Sequence, residues 1–143
     1  MIWAFYLIQN IGYLKLETML LKDYYSIISQ STDEATGAHL FRIKLNGGHE
    51  IYKGHFPEKA VSPGVCNLQI MKECAERIVG KELTIKTMAQ CKMPAMITPD
   101  GTPELTVSVA TAETEGGYQT TASIFNDSTT YITFKGILTP EQL

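Results

Sequence analysis

The stretch "YKGHFPEKAVSPGVCNLQIMKE", residues 52–73, decides the fold. Gly54, Pro57 and Pro63 break its first half into a loop. Pro63-Gly64 then opens a helix, where proline's fixed φ and missing N–H cost little. The helix is predicted from Val65 to a stop at Gly80. On a wheel of about 3.6 residues per turn, Leu68, Ile70, Met71, Cys74, Ala75, Ile78 and Val79 cover a broad apolar arc. Gln69, Lys72, Glu73, Glu76 and Arg77 gather on the other side. A helix with so wide an apolar arc is expected to be wrapped by a sheet.

Outward from that helix the pattern is one of strands. "AHLFRIKLN", 38–46, alternates, with His39, Phe41, Ile43 and Leu45 on one face, and Gly47-Gly48 ends it. "LTIKTMAQCKM" (83–93), "ELTVSVATAE" (104–113), "YQTTASIFN" (118–126) and "TYITFKGIL" (130–138) read as four more strands. Hairpin turns are expected at Gly116-Gly117 and at Asn126-Asp127-Ser128. "MLLKDYYSII", 19–28, looks like a short helix or turn. One long helix among hairpin-linked strands predicts an α+β fold, a curved antiparallel sheet around one central helix.

A length of 143 residues suits one domain with a core that needs no disulfide or metal. A net charge of −3 argues against a general nucleic-acid binder. Cys66, Cys74 and Cys91 are odd in number and form no Cys-x-x-Cys pair, so a zinc site and a disulfide framework are poorly supported, and reduced thiols in the cytoplasm are expected. Nothing calls for a metal or an organic cofactor. The opening "MIWAFYLIQNIGYL" carries no charge; it is too short for a membrane span and lacks the basic start of a secretory signal. The expected organisation is an apolar extension over 1–18 and a single domain over 19–143, with Met19 a candidate natural start. The extension must bury its side chains on the domain or on a neighbour.

"GHFPEKAVSPGV" resembles the Gly-His-Phe-Pro … Met-Pro-Gly motif of the hot-dog-fold β-hydroxyacyl-acyl-carrier-protein dehydratases. The element order matches as well, and "QCKMPAMITPDGTPEL" (90–105) is similar to that family's Lys-Phe-x-x-Pro-Val-x-Pro-Gly-Asp stretch. The resemblance covers roughly residues 20–140. It implies that His55 takes a proton from the carbon beside a thioester, a task suited to imidazole near neutral pH. It implies that the helix-start N–H groups of Gly64 and Val65 polarise the thioester carbonyl, with Phe56 and Pro63 lining the site. It also implies a dimer with sites shared between subunits, and an acyl carrier protein or coenzyme A as the thioester's carrier. Lys53 and Lys59 flank the loop and suit an acidic carrier.

One departure matters. The family's catalytic carboxylate stands 14 residues after the histidine, where this chain has Gln69. Glutamine has no ionisable proton; it orients a water or hydroxyl but cannot act as the acid. The family's Glu-x-x-x-Gln order is reversed here to Gln69 and Glu73, and one helical turn, about 6 Å, separates the two. Plainer readings stand beside these. His55 can be a structural loop histidine, Gln69 and Glu73 solvent-side helix residues, and Cys66 a core filler rather than a low-pKa thiol; His39 and His49 belong to no constellation. Three functions remain open on the sequence: a dehydratase relative with altered acid catalysis, a thioesterase in which glutamine places water, and a non-catalytic partner of an intact subunit.

Overall fold

The structure, a computed structural model, describes residues 23–54, 60–101 and 103–140. The expected extension over 1–18 lies outside them. Among the described residues, six strands and two helices follow in the order β1 (Tyr25–Thr32), β2 (His39–Leu45), α1 (Ile51–Gly54), α2 (Gly64–Val79), β3 (Leu83–Lys92), β4 (Glu104–Thr114), β5 (Gly117–Asn126) and β6 (Thr129–Pro140). All pairings are antiparallel, in the order β1-β2-β4-β5-β6-β3.

The register explains the core. Phe41 stands opposite Val107, Val107 opposite Ile124, and Ile124 opposite Ile132, so one apolar row crosses four strands. All four side chains are fully buried. Leu68, Ile70, Met71, Cys74 and Ala75 of α2 belong to the same buried cluster, and α2 packs on β3, β4 and β5. Irregular register in β1–β2, β3–β6 and β5–β6 bends the strands, as β-bulges do. Gly136 is required at one such place: a Cβ there would run into the Thr87 carbonyl oxygen of β3. The helix stops where the sequence predicts, at Gly80 in the left-handed region (φ 79°), its N–H bonded to the Glu76 carbonyl.

Two expectations are corrected. Residues 25–32 form an edge strand, where a short helix or turn was expected over 19–28. The strand is mostly exposed and is held by pairing with β2, which overrides its weak local pattern. Lys72 belongs to the buried side of α2, not the solvent side, with 3 % exposure. Its ammonium donates to the Leu83 carbonyl at 3.0 Å and lies 3.8 Å from Glu76 Oε2, which accepts from Leu83 N–H at 2.8 Å. Both backbone groups at the start of β3 are thereby satisfied by side chains one helical turn apart, which ties the helix to the sheet.

Candidate functional site

The site expected from the sequence centres on the start of α2. Pro63, in extended conformation (φ −62°, ψ 147°), precedes the first turn and has no side chain that can cap it. The N–H groups of Cys66 and Asn67 return to the Pro63 carbonyl at 3.0 and 3.1 Å. Those of Gly64 and Val65 precede the first intrahelical bond, at the positive end of the helix dipole. Pro63, Gly64 and Val65 are all buried. Met93 covers the turn: a Cβ added at Gly64 would stand 2.9 Å from its terminal methyl. A glycine here lets Met93 pack directly on the backbone.

A buried polar chain fixes the turn from below. Tyr52 OH donates to Tyr24 OH at 3.0 Å, and Ser62 Oγ donates to Asn67 Oδ1 at 2.6 Å. Ser62 has one hydroxyl proton and gives it to Asn67, so Tyr24 donates across the 2.5 Å contact to Ser62 Oγ. The backbone N–H of Ser62 donates to the Ile97 carbonyl at 2.8 Å, which brings the 90–105 stretch onto the same turn. Burial raises the Tyr24 hydroxyl far above the ordinary tyrosine value and raises Tyr52 as well, so both remain donors at any working pH. No pattern in the sequence points to this network, because its members are scattered polar residues joined only by the fold.

Gln69 and Glu73 come together, with a third residue that sequence reasoning missed. Gln69 Nε2 donates to Glu73 Oε2 at 3.1 Å, and Tyr25 OH of β1 donates to Glu73 Oε1 at 2.6 Å. All three side chains are half-buried, which removes the plain solvent-side reading of Gln69 and Glu73. Burial, and then the charge of Glu73, push the Tyr25 hydroxyl far above its ordinary value and keep it protonated. Cys66 is a core filler: burial pushes its thiol up to about 12, the opposite of an activated nucleophile. His49 packs edge-on against Tyr24 at 5.2 Å and accepts the Ile51 N–H at its Nδ1. His55, Phe56 and Lys59 lie outside the described residues. Between α2 and the sheet, a cavity of about 10 Å³ lined by Leu68, Met71, Lys72, Ile85, Thr120 and Phe134 has room for a single water at most. Among the described residues no helix is long and apolar enough to cross a membrane, and no cluster of three metal-ligating side chains occurs.

A sheet curved about one long helix, with an uncapped Pro-Gly helix start, defines the hot-dog class, and solved structures share it. The dehydratase heterocomplex ApeI:P from Xenorhabdus doucetiae matches with a TM-score of 0.66 at 18% identity, over 80% of this chain and 96% of that one. The dehydratase domain of the polyketide protein PpsC from Mycobacterium tuberculosis matches with a TM-score of 0.55 at 17% identity, over 82% of this chain and 44% of that one. The same domain in complex with C12:1-CoA matches with a TM-score of 0.52 at 14% identity, again over 82% and 44%. At such identities the likeness is one of fold. The chain belongs to the ApeI-like dehydratase family, whose model, described as ApeI dehydratase, matches residues 29–139. No curated protein matches it significantly.

Proposed function

We propose that the protein binds a β-hydroxyacyl thioester at the start of α2 and catalyses its dehydration, as a lyase with weakened acid catalysis. The observation that carries this reading is the uncapped, buried Pro63-Gly64-Val65 turn in a chain of the dehydratase family, close in sequence after His55. In the reaction, His55 removes the proton beside the thioester carbonyl. The Gly64 and Val65 N–H groups stabilise the charge that grows on the carbonyl oxygen. The C–O bond at the β-carbon then breaks, and the proton taken by His55 passes to the departing oxygen, which leaves as water. Gln69 orients the departing hydroxyl and supplies no proton. Phe56 and Pro63 line the acyl site. The carrier is an acyl carrier protein or coenzyme A, and the setting is fatty-acid or polyketide-type biosynthesis in the cytoplasm. The C12:1-CoA held by the PpsC domain supports an acyl thioester as ligand. No metal or cofactor takes part.

The working unit in this reading is a dimer, in which His55 of one subunit meets the helix of the other. Residues 1–18 contribute nothing to the chemistry, and a chain starting at Met19 keeps its thioester binding. A second reading has a specific observation in its favour. Gln69 has an N–H committed to Glu73 and no proton to lend, and one fold relative is a dehydratase heterocomplex. This chain would then be the partner of a subunit with an intact carboxylate.

The test is formation of the enoyl thioester from β-hydroxyacyl thioesters of coenzyme A and of an acyl carrier protein. The purified chain is assayed alone and mixed with a carboxylate-bearing family member. Turnover by the chain alone, abolished by His55→Ala, establishes the homodimeric lyase. Turnover only in the mixture, unchanged by His55→Ala in this chain, establishes the reading of a non-catalytic partner. Turnover indifferent to His55→Ala in both settings refutes the assigned role of His55.

A further inference from the structure

The Gln-x-x-x-Glu order of α2 has a consequence for how position 69 meets its ligand. The Glu73 carboxylate accepts from Tyr25 OH through Oε1 and from Gln69 Nε2 through Oε2. A carboxylate only accepts, whereas a glutamine amide has one accepting end and one donating end. Turning the Gln69 amide over would set its oxygen against Glu73 Oε2, oxygen to oxygen. Tyr25, on an edge strand far along the chain, fixes the carboxylate that makes this choice. Among the described residues nothing donates to Gln69 Oε1, so the carbonyl oxygen is the end left for a ligand.

We propose that Glu73, held by Tyr25, is a positioning residue that orients the Gln69 amide so that position 69 accepts a hydrogen bond from the β-hydroxyl of an acyl thioester. The inference rests on the thioester reading above and adds a specificity to it: the site selects hydroxyacyl over saturated acyl chains. An acceptor aligns the hydroxyl but leaves its oxygen unprotonated. The clamp thus favours recognition of the hydroxyl over its expulsion.

Binding of a β-hydroxyacyl coenzyme A and of the saturated acyl coenzyme A of equal length is measured by calorimetry, in a His55→Ala background that leaves the thioester unreacted. The hydroxyacyl ligand is expected to bind about three- to tenfold more tightly, the range of one net hydrogen bond. Gln69→Ala removes that preference. The near-isosteric Glu73→Gln and Tyr25→Phe variants shrink it while Gln69 is present and have no effect on it in the Gln69→Ala background. A merely structural role would weaken both ligands alike in either background. Equal affinity of the two thioesters, or a preference that survives Glu73→Gln, overturns the proposal and leaves the thioester reading standing. Failure to bind either thioester refutes that reading and this inference together.

Discussion

Replacing Gln69 with glutamate sets a second carboxylate against Glu73. The amide nitrogen it replaces lies 3.1 Å from Glu73 Oε2. At that separation two negative charges repel by about 1 kcal/mol in bulk water and about 5 kcal/mol at the effective dielectric of a protein surface. This repulsion raises the pKa of the new carboxyl at position 69 above the ordinary glutamate range. Tyr25 donates to Glu73 and not to position 69, so the new carboxyl is the one that holds a proton. The variant thus gains a carboxylic acid at position 69, the group that the proposed mechanism does without. Dehydration of a β-hydroxyacyl thioester is expected to rise at least about tenfold, a modest share of what a placed acid supplies. The gain is present below the raised pKa and fades as pH rises through it. Folding stability follows the same sign: below about pH 4 the new group is protonated in both states and carries no penalty, and stability falls as pH rises from there through the folded pKa. Enoyl-thioester formation recorded from pH 5.5 to 9 measures the effect, with Gln69→Glu/Glu73→Gln as control. Removing the second charge in that control should move the profile down by at least about one unit. A Gln69→Glu profile that Glu73→Gln leaves in place would refute the proximity on which the argument stands.

Three further outcomes follow from the packing. Ser62→Ala leaves the Asn67 carbonyl oxygen and the Tyr24 hydroxyl without their buried partner and should cost about 2–3 kcal/mol in urea unfolding. Lys72→Met keeps the stem but frees the Leu83 carbonyl, so a loss of about 1–3 kcal/mol is expected by thermal or urea melts. Burial lifts the Cys66 and Cys74 thiols from 9.0 to about 12 and raises Tyr24, Tyr25 and Tyr52 as well. These groups hold their protons more tightly folded than unfolded. Their contribution is therefore complete below about pH 8.5 and is lost as pH rises from there toward 12, at about 1.4 kcal/mol per pH unit for each group titrating only in the unfolded chain. A melting temperature that is unchanged between pH 9 and 11 would contradict this.

Most of the fold was legible because the burial is one-sided. β2 and β4 alternate since one face enters the core that α2 shares, and the Gly and Asn-Asp turns mark the hairpins. β1 was not legible. Its apolar Ile27 and Ile28 are adjacent rather than alternating, and Ile28 remains 51 % exposed. What makes it a strand is β2 beside it. Lys72 escaped because a helical wheel records polarity and not the reach of a side chain; its ammonium goes to the start of β3, which the wheel cannot show. At the site, the Gln69–Glu73 spacing was plain in the sequence, while Tyr25 was not, since nothing local places an edge-strand hydroxyl over that turn of the helix.

The chain Tyr52–Tyr24–Ser62–Asn67 joins residues on either side of the segment that carries His55. Tyr52 leads into that segment and Ser62 leads out of it, and both meet at Tyr24. The segment is thus a cassette whose two ends are fastened to one post. Its endpoints are set by the scaffold whatever residues run between them, so the entropy of closing it does not depend on its own contacts. The residues between the fastenings can thus be rewritten without reopening the sheet or the helix. The chemistry of the loop and the stability of the fold can be changed separately.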